Sequence, residues 1–190
     1  MMLSDGEIKE ALLNGQIVIS SDEELYIGPS SLDLHLDNVA KVLPAGTDFN
    51  KKVYADKKDE IAGMFVEMNG WDEITINPNE FYILSSKERI KLPANIAGFL
   101  QGRSSIARIG LNIHAAGFFD PGFEGTATLE VTNFTTHPIV LPKGIRICQM
   151  VFMRTGKSCE VPYDQKKDSK YMGQTGAVLT KIDKEYDHKN

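Results

Sequence analysis

Residues 102–131 read GRSSIARIGLNIHAAGFFDPGFEGTATLEV and place an acidic side chain inside a segment with the composition of a β-strand. Threonine, valine and leucine dominate its end, and an Asp120-Pro121-Gly122 turn precedes them, so we predict a strand around residue 130. Glu130 in that strand allows two interpretations. It faces water on a half-exposed strand, or it serves chemistry in an enclosed site.

The rest of the chain repeats this pattern of short strands between turns. Turn signals occur at 44–46, 69–70, 77–79, 93–95, 120–122 and 142–144. Between them lie the runs DEITI, FYILSS, AGFLQG, TATLEVTNF, PIVL and IRICQMVFM, and SLDLHLDNVAKVL (31–43) alternates leucine with polar residues at the period of a strand. Many short strands in one unit predict a mainly β fold, either a sandwich, a jelly roll or a barrel.

A short helix is predicted at the N-terminus. Ser4 and Glu7 have the spacing of a capping box, apolar residues follow at helical spacing, and Gly15 stands where a helix would end. The length of 190 residues suits one domain, which we assign to residues 1–190.

Composition excludes several classes of protein. The net charge of −5 argues against a nucleic-acid partner, since binding to phosphate backbones needs a basic face. No run of eighteen apolar residues exists, so we expect no membrane partner, and the acidic N-terminus is unlike a signal peptide. Two cysteines without a C-x-x-C pair fit a reducing compartment, and we expect a cytoplasmic location.

Metal-dependent hydrolysis of the zinc type is not supported by the sequence. There is no H-x-E followed by P-C-x-x-C, and the histidines, which are His35, His114, His137 and His188, lack ligand spacing. We therefore expect no zinc and interpret each histidine as a surface or hydrogen-bonded residue. Phosphate-binding loops of the common nucleotide-binding types are also missing.

For three further segments, the residues alone do not decide between alternative structures or roles. The charged segment 50–65 predicts a helix or a mobile excursion, and nothing in it suggests chemistry. Residues 163–190 lose apolar periodicity and predict either a frayed end or a flap over a ligand. The GRSS motif at 102–105 offers donors for phosphate oxygens, but alone it is equally an ordinary polar turn followed by a surface arginine, Arg108.

Several blocks together resemble one family. These are LSDGEIKEAL, PSSLDLHL, GRSSIARIGL, AGFFDPGFEGTATLEVTN, LPKGIRICQMVF and SKYMGQTGA. Their types and order resemble the dCTP deaminases, relatives of the trimeric dUTP diphosphatases, from Leu3 to about residue 184. The resemblance implies a distorted β-barrel or jelly roll of the dUTP diphosphatase type, a homotrimer with active sites between subunits, and a pyrimidine deoxynucleoside triphosphate bound with Mg²⁺.

The resemblance also implies roles for individual residues. The catalytic positions are Glu130, Ser104, Arg108 and Ala116, and the nucleotide contacts are Arg103, Ser105, Asp120, Tyr163, Lys170 and Gln174. Glu130 matches the catalytic glutamate, while Ser104 and the carbonyl of Ala116 match the groups that hold the attacking water. Asp120 matches a group near the sugar hydroxyl, and the other contacts match triphosphate ligands, with residues 163–176 as a flap that becomes ordered over the phosphates.

This chemistry explains a glutamate on a strand. Hydrolysis at C4 of cytosine requires a proton to be taken from water and later given to the ring and to the leaving amine, and one carboxylate can do both. A rigid strand fixes that carboxylate, and a closed flap would reduce its solvation and raise its basicity.

The resemblance leaves the product and the activity open. Gly117 stands where deaminase-only members carry a bulky basic or imidazole side chain, and the loop 110–120 is one residue shorter, which favours the branch that continues from dUTP to dUMP. A dUTP diphosphatase without deaminase activity is an alternative, although FFDPGF lacks the tyrosine such enzymes use to stack on uracil. A non-enzymatic trimer that senses nucleotides is another. The implied ligands are dCTP and dUTP, with dTTP as an inhibitor.

Overall fold

The fold is built mainly from β-strands. The computed structural model describes residues 1–44, 52–113 and 116–185. The strands in these ranges are β1 (Val18–Ser20), β2 (Leu32–Val42), β3 (Val66–Asn69), β4 (Glu73–Ile76), β5 (Phe81–Lys91), β6 (Ile96–Gly102), β7 (Leu111–Ile113), β8 (Phe118–Phe119), β9 (Glu124–Asn133), β10 (Ile139–Pro142) and β11 (Arg146–Arg154). The helices are α1 (Asp5–Leu13), α2 (Lys58–Ala62), α3 (Ser104–Arg108) and a 3₁₀ turn (Ile182–Glu185). The predicted mainly β fold is confirmed, and none of the helices described here is long and apolar enough to cross a membrane.

Nine of the strands form one sheet. Its order is β7-β9-β5-β2-β11-β6-β8, with β1 beside β5 and β3 beside β2, while β4 and β10 pair separately. The pairings are antiparallel. The long strands β2, β5 and β9 lie side by side, so residues on β9 sit on a broad and rigid support.

Irregular pairing makes this sheet curl. The register shifts between Leu36 and Ala40 where β2 meets β5, between Ser85 and Arg89 where β5 meets β9, and between Arg146 and Cys148 where β11 meets β2. Such bulges increase the local twist and bend a strand. The sheet therefore closes into a half-barrel, in agreement with the distorted barrel predicted from the sequence.

Strand β9 has one face in the core and one face outside it. Ala127, Leu129 and Val131 are fully buried among the core residues. Thr128 and Glu130 alternate with them and are only partly buried, because successive side chains of a strand point to opposite faces. The apolar residues of β9 thus fix the direction in which Glu130 points.

Strand β2 is buried on both faces, although its alternating sequence is typical of a strand with one wet face. Asp33 and His35 lie opposite the leucines as predicted, yet they are only 7% and 8% exposed. Asp33 accepts ion pairs from Arg103 at 3.1 Å and Arg146 at 3.2 Å. One carboxylate oxygen of the fully buried Glu88 accepts a hydrogen bond from the backbone N–H of His35 at 2.9 Å. The other oxygen lies 2.7 Å from Nδ1 of the His35 ring. Pairing explains how these polar groups remain in the interior.

Helix α1 forms as its sequence predicts. The Ser4 hydroxyl accepts the Glu7 N–H, and the Glu7 carboxylate accepts the Ser4 N–H at 2.9 Å, which completes the capping box. Ile8 and Ala11 are buried against the sheet, and the helix is followed by Gly15 at a positive φ of 70°. Capping and an apolar stripe together fix this short helix on the core.

Candidate active site

A cavity of about 570 Å³ opens on the outer face of β5 and β9. Its sheet and loop residues are Phe81, Ile83, Ala116, Phe118, Phe119, Asp120, Phe123, Thr128 and Glu130. Its other walls are Ile61, Phe65, Tyr163, Tyr171, Gln174 and residues 178–180. The volume lies within the range of sites for small molecules, and mostly apolar walls with a few polar groups are typical of such sites.

Glu130 lies on the floor of this cavity. Its partner across the sheet is Ile83 on β5, and Ser85 faces Thr128 in the same way. Residues directly opposite on an antiparallel pair share one face, so Glu130 has an aliphatic neighbour. A carboxylate fixed on a strand beside a cavity is placed to take up and return a proton.

Four more of the predicted site residues line the same cavity. Ala116 comes just before β8, Asp120 just after it, and Tyr163 and Gln174 come from the C-terminal segment. The fold therefore brings residues separated by more than forty positions in the sequence into the cavity that Glu130 lines.

The other predicted residues lie elsewhere. Ser104, Ser105 and Arg108 are exposed on α3 and do not line the cavity formed by the described residues. The GRSS motif predicts a polar turn, but Ser104 and Ser105 instead begin a helix, with Arg103 as its N-cap. A single chain thus holds only part of the predicted site.

Arg103 is held by groups of its own chain. Its Nε lies 3.1 Å from Asp33, and a second guanidinium nitrogen donates to the carbonyl of Arg146 at 2.9 Å. The Arg146 guanidinium lies 3.9 Å from the ring centroid of Tyr26. These contacts hold both guanidinium groups beside the Asp33 carboxylate, next to the start of α3.

The C-terminal segment forms one wall of the cavity by pairing with the beginning of β9. Gln174 accepts the Thr126 N–H at 3.0 Å and its side-chain amide donates to the Thr126 carbonyl at 2.8 Å. Gly125 allows this approach, since a Cβ there would lie 2.9 Å from the Gln174 carbonyl oxygen. The Gly173 N–H also donates to the Glu124 carbonyl at 2.8 Å.

Ion pairs hold the end of this segment. Asp183 lies 3.5 Å from Lys58 of α2, and Glu185 pairs with Lys170. The hydrogen bond that the Lys170 ammonium donates to the Glu185 carboxylate raises the pKa of Lys170. Lys170 does not line the described cavity, and its ammonium already donates a hydrogen bond to the Glu185 carboxylate. Residues 163–185 therefore cover the sheet, and order that depends on a ligand stays a prediction.

Part of the segment 50–65 lines the cavity, although nothing in its sequence suggests chemistry; residues 50 and 51 lie outside the described residues. Ile61 from α2 and Phe65 just after it line the cavity, and the Phe65 ring lies 6.4 Å from that of Phe81. The sequence signal was weak, because two apolar residues in a charged segment have no period. Their place in the cavity wall depends on packing against β5, which is distant in the sequence.

Thr128 is another cavity residue that the motifs did not reveal. Its hydroxyl oxygen is buried and has no hydrogen-bond partner among the described residues. The signal available was its position two residues before Glu130, which places both on one strand face.

Gly117 has a packing reason to be glycine. A Cβ at this position would lie 2.4 Å from Cβ of Leu100, and the Gly117 carbonyl accepts the Leu100 N–H at 2.7 Å. A bulky side chain would therefore require the loop to move away from β6. The predicted connection between this glycine and dUMP formation stays a prediction.

The histidines give no metal site in the part of the chain that the structure describes. No three His, Cys, Asp or Glu side chains gather there as a ligand set. His35 is paired with Glu88 and His137 is exposed, as the sequence predicts, while His114 and His188 lie outside the described residues. The expectation that no zinc is bound stays a prediction.

Solved structures support the fold. A 2′-deoxycytidine 5′-triphosphate deaminase from Agrobacterium tumefaciens superposes with a TM-score of 0.61 at 23% identity, over 80% of this chain and 46% of that one. The chain thus spans under half of that protein. The native dUTPase of EIAV gives a TM-score of 0.50 at 19% identity, over 80% of this chain and 98% of that one. These similarities confirm the fold of the dUTP diphosphatase type.

Sequence comparison identifies the family. The family model described as dCTP deaminase-like matches residues 2–155. A protein of Methanosphaera stadtmanae named dCTP deaminase, dUMP-forming, is 40% identical over 195 residues, which cover 98% of this chain and 96% of that protein. The match includes the strand with Glu130 and the helix with Ser104, and the relative agrees over nearly its whole length. The chain therefore belongs to the dCTP deaminase-like family.

Proposed function

We propose that the protein hydrolyses dCTP at C4 of the cytosine ring, releasing ammonia, and that it continues to dUMP and diphosphate in the same site. One observation carries the first step: Glu130 lies in a cavity of nucleotide-compatible size, on rigid strands and among largely apolar walls. The second step is supported by the name of the relative from Methanosphaera stadtmanae.

The proposed mechanism uses Glu130 as the single proton carrier. Its carboxylate accepts a proton from water while the water oxygen bonds to C4. Glu130 passes this proton to N3, then takes the remaining proton from the new C4 hydroxyl and gives it to the amine. The C4–N4 bond breaks, ammonia leaves, and the C4=O carbonyl of uracil forms. The balance is dCTP plus water to dUTP plus ammonia. One positioned acid–base group contributes roughly a hundred- to ten-thousand-fold to such a rate.

The remaining roles follow the family resemblance. Ser104 and the carbonyl of Ala116 hold the attacking water, and Arg108 stabilises charge near it. Asp120 meets the sugar hydroxyl. The groups proposed to bind the triphosphate are Arg103, Ser105, Tyr163, Lys170 and Gln174. Mg²⁺ enters as part of the substrate, bound to the phosphate oxygens, because no protein ligand set is gathered for it in the described ranges.

A homotrimer would complete the site. Ser104 and Arg108 are exposed on α3, outside the cavity that holds Glu130 in the described part of the same chain. Two exposed apolar side chains, Ile109 at 48% and Phe134 at 65%, flank the end of α3, where the Phe134 N–H donates to the Gly110 carbonyl. Apolar surface beside unused functional groups favours contact with a second chain. Inhibition by dTTP and a cytoplasmic location stay predictions.

The decisive test is incubation with dCTP and Mg²⁺, with ammonia measured and the nucleotides separated. We expect ammonia and dUMP in equal amounts. Ammonia with dUTP would support deamination and refute the second step. Conversion of dUTP without any reaction of dCTP would favour the dUTP diphosphatase. Tight binding without turnover of either nucleotide would favour the non-enzymatic sensor.

A further inference from the structure

Three lysines gather at the rim of the cavity, where α2 meets the C-terminal segment. They are Lys58 of α2 together with Lys181 and Lys184, and the charges of Lys58 and Lys184 both act on the Lys181 ammonium. The chain just before Lys181 forms part of the cavity wall, since residues 178–180 line it. We call these three lysines the rim cluster, and the proposed mechanism gives them no role.

Lys181 differs from the other partly buried lysines of this region in its partners. Lys58 lies 3.5 Å from the Asp183 carboxylate. No carboxylate of the described residues forms an ion pair with Lys181, whose ammonium lies 5.5 Å from the centroid of the Tyr171 ring. The side chain is partly buried between this ring and the rest of the rim cluster.

The surroundings of Lys181 disfavour its positive charge. Partial burial, followed by the charges of Lys184 and Lys58, lowers the pKa of the Lys181 ammonium, and Asp183 offsets only part of this effect. Burial and like charges act in the same direction, because both make the charged form of a lysine less favourable. An anion bound at the rim cluster would supply the missing negative charge and relieve this repulsion.

Tyr171 connects the rim cluster to groups that are proposed to bind the triphosphate. Its backbone N–H donates to the Tyr163 hydroxyl at 3.0 Å, and its own hydroxyl accepts the backbone N–H of Lys181 at 3.2 Å. Tyr163 and Tyr171 both line the cavity. The outer phosphates carry most of the charge of a nucleoside triphosphate and lie farthest from its base. They are therefore the part of the substrate that can reach a cation at the rim.

We infer that Lys181 is a substrate-binding residue whose ammonium contacts the phosphates beyond the first one of the bound nucleotide. Ammonium groups donate charge-assisted hydrogen bonds to phosphate oxygens. This inference rests on the proposed function, since it takes the ligands to be dCTP and the dUTP formed from it. A nucleoside monophosphate lacks these phosphates, so Lys181 would hold the substrate and the intermediate but not dUMP.

Paired ligands and three variants test this contact. dCTP and dCMP share base and sugar and differ only in the outer phosphates, and both are titrated by calorimetry into Glu130→Gln chains, where dCTP should persist. Lys181→Ala should weaken binding of dCTP by about tenfold, the value of one charge-assisted hydrogen bond, and change binding of dCMP by less than about twofold. Lys181→Arg retains the charge and should bind dCTP within about threefold of its parent. Lys157→Ala is the control, because Lys157 is exposed and lies outside the cavity.

The contact would be refuted by an unchanged affinity for dCTP in Lys181→Ala. An equal loss for dCMP would also overturn it, because Lys181 would then act near the sugar or only support the cavity wall. Binding by Lys181→Arg as weak as that of Lys181→Ala would exclude a contact made through charge. Ammonia release by chains with Glu130 intact is measured in parallel, so failure of the proposed function is recognised separately from failure of the Lys181 contact.

Discussion

Strand β9 and helix α3 come from the same stretch of thirty residues, but they present their functional groups in opposite ways. Glu130 on β9 is enclosed by a cavity of its own chain, whereas Ser104 and Arg108 on α3 are exposed and lie outside that cavity. The strand pairs along most of its length with the eleven-residue β5 and at its end with the three-residue β7, while the helix has five residues and one buried side chain, Ile106. The difference teaches that one chain encloses Glu130 but leaves Ser104 and Arg108 outside the same cavity, which is the arrangement that the proposed assembly would complete.

The largest effect is expected at the enclosed carboxylate. Glu130→Gln removes the group that carries the proton and retains nearly the same shape, so deamination of dCTP should fall by at least about a hundredfold while nucleotide binding persists. Ammonia release and calorimetry measure the two quantities. Glu73→Gln on β4 is the matched control, because Glu73 is exposed and lies outside the cavity. Substantial ammonia release by Glu130→Gln would contradict the role of Glu130 as the proton carrier.

The helix is tested by combining two defective chains. Arg108→Ala should fold normally because Arg108 is exposed, yet lose activity by about tenfold or more if α3 completes a neighbouring site. After Arg108→Ala and Glu130→Gln chains are dissociated and reassembled together, some sites should contain neither substitution, and ammonia release should recover in part.

A mixture of Glu130→Gln with Asp120→Asn supplies the control, because both residues line the same cavity of one chain and no intact site should form. No recovery with Arg108→Ala in assembled mixtures would mean that each site is built from one chain.

A smaller effect is expected in the C-terminal wall. Lys170→Ala removes a charge proposed to bind phosphate and should raise KM for dCTP about tenfold with little change in kcat. Glu185→Ala should act in the opposite direction, because it releases the Lys170 ammonium from its internal partner. Lys167→Ala is the control, since Lys167 is an exposed lysine of the same segment. Loss of kcat at constant KM in Lys170→Ala would contradict a binding role.

The smallest effect is expected for Glu124 on β9, which pairs with Arg89 and Lys91 of β5 and does not line the described cavity. Hydrogen bonds from Arg89 and Lys91 lower the pKa of the Glu124 carboxyl. A carboxyl with a lowered pKa in the folded state stabilises the protein above its usual pKa and loses that contribution as the pH falls. Glu124→Gln should therefore reduce the free energy of unfolding by at most about 1 kcal/mol near neutral pH. The difference should shrink toward about pH 3, as measured by urea titration. A difference that grows on acidification would contradict the pairing.

The sequence predicts most of the fold because the local signals agree. The capping residues of α1, the β-rich composition of the segment around residue 130 and the turn residues between strands all point to the same structure. Each is confirmed except the turn at 44–46, which lies partly outside the described residues. Local patterns fail where the partner lies far away in the chain. The alternation in β2 predicts that Asp33 and His35 face solvent. In the structure they are buried, because Asp33 pairs with Arg103 and His35 pairs with Glu88. No pattern within β2 reveals these distant partners.

The candidate site divides in the same way. The family blocks bring forward Glu130, Asp120 and Gln174, which the fold gathers around one cavity. The sequence does not predict that Ile61 and Phe65 line the cavity, because their position depends on packing against residues of β5 that are distant in the sequence. Thr128 could have been noticed from its two-residue spacing to Glu130, but its lack of a partner is a property of the folded structure.

Gly125 has a consequence for the timing of the catalytic cycle. Because a methyl group there would collide with the carbonyl of Gln174, the smallest possible residue sets how closely the C-terminal segment can seat on β9. A larger residue at position 125 would hold the C-terminal segment away from β9. In the proposed two-step reaction, such a gap would let dUTP leave before the second hydrolysis.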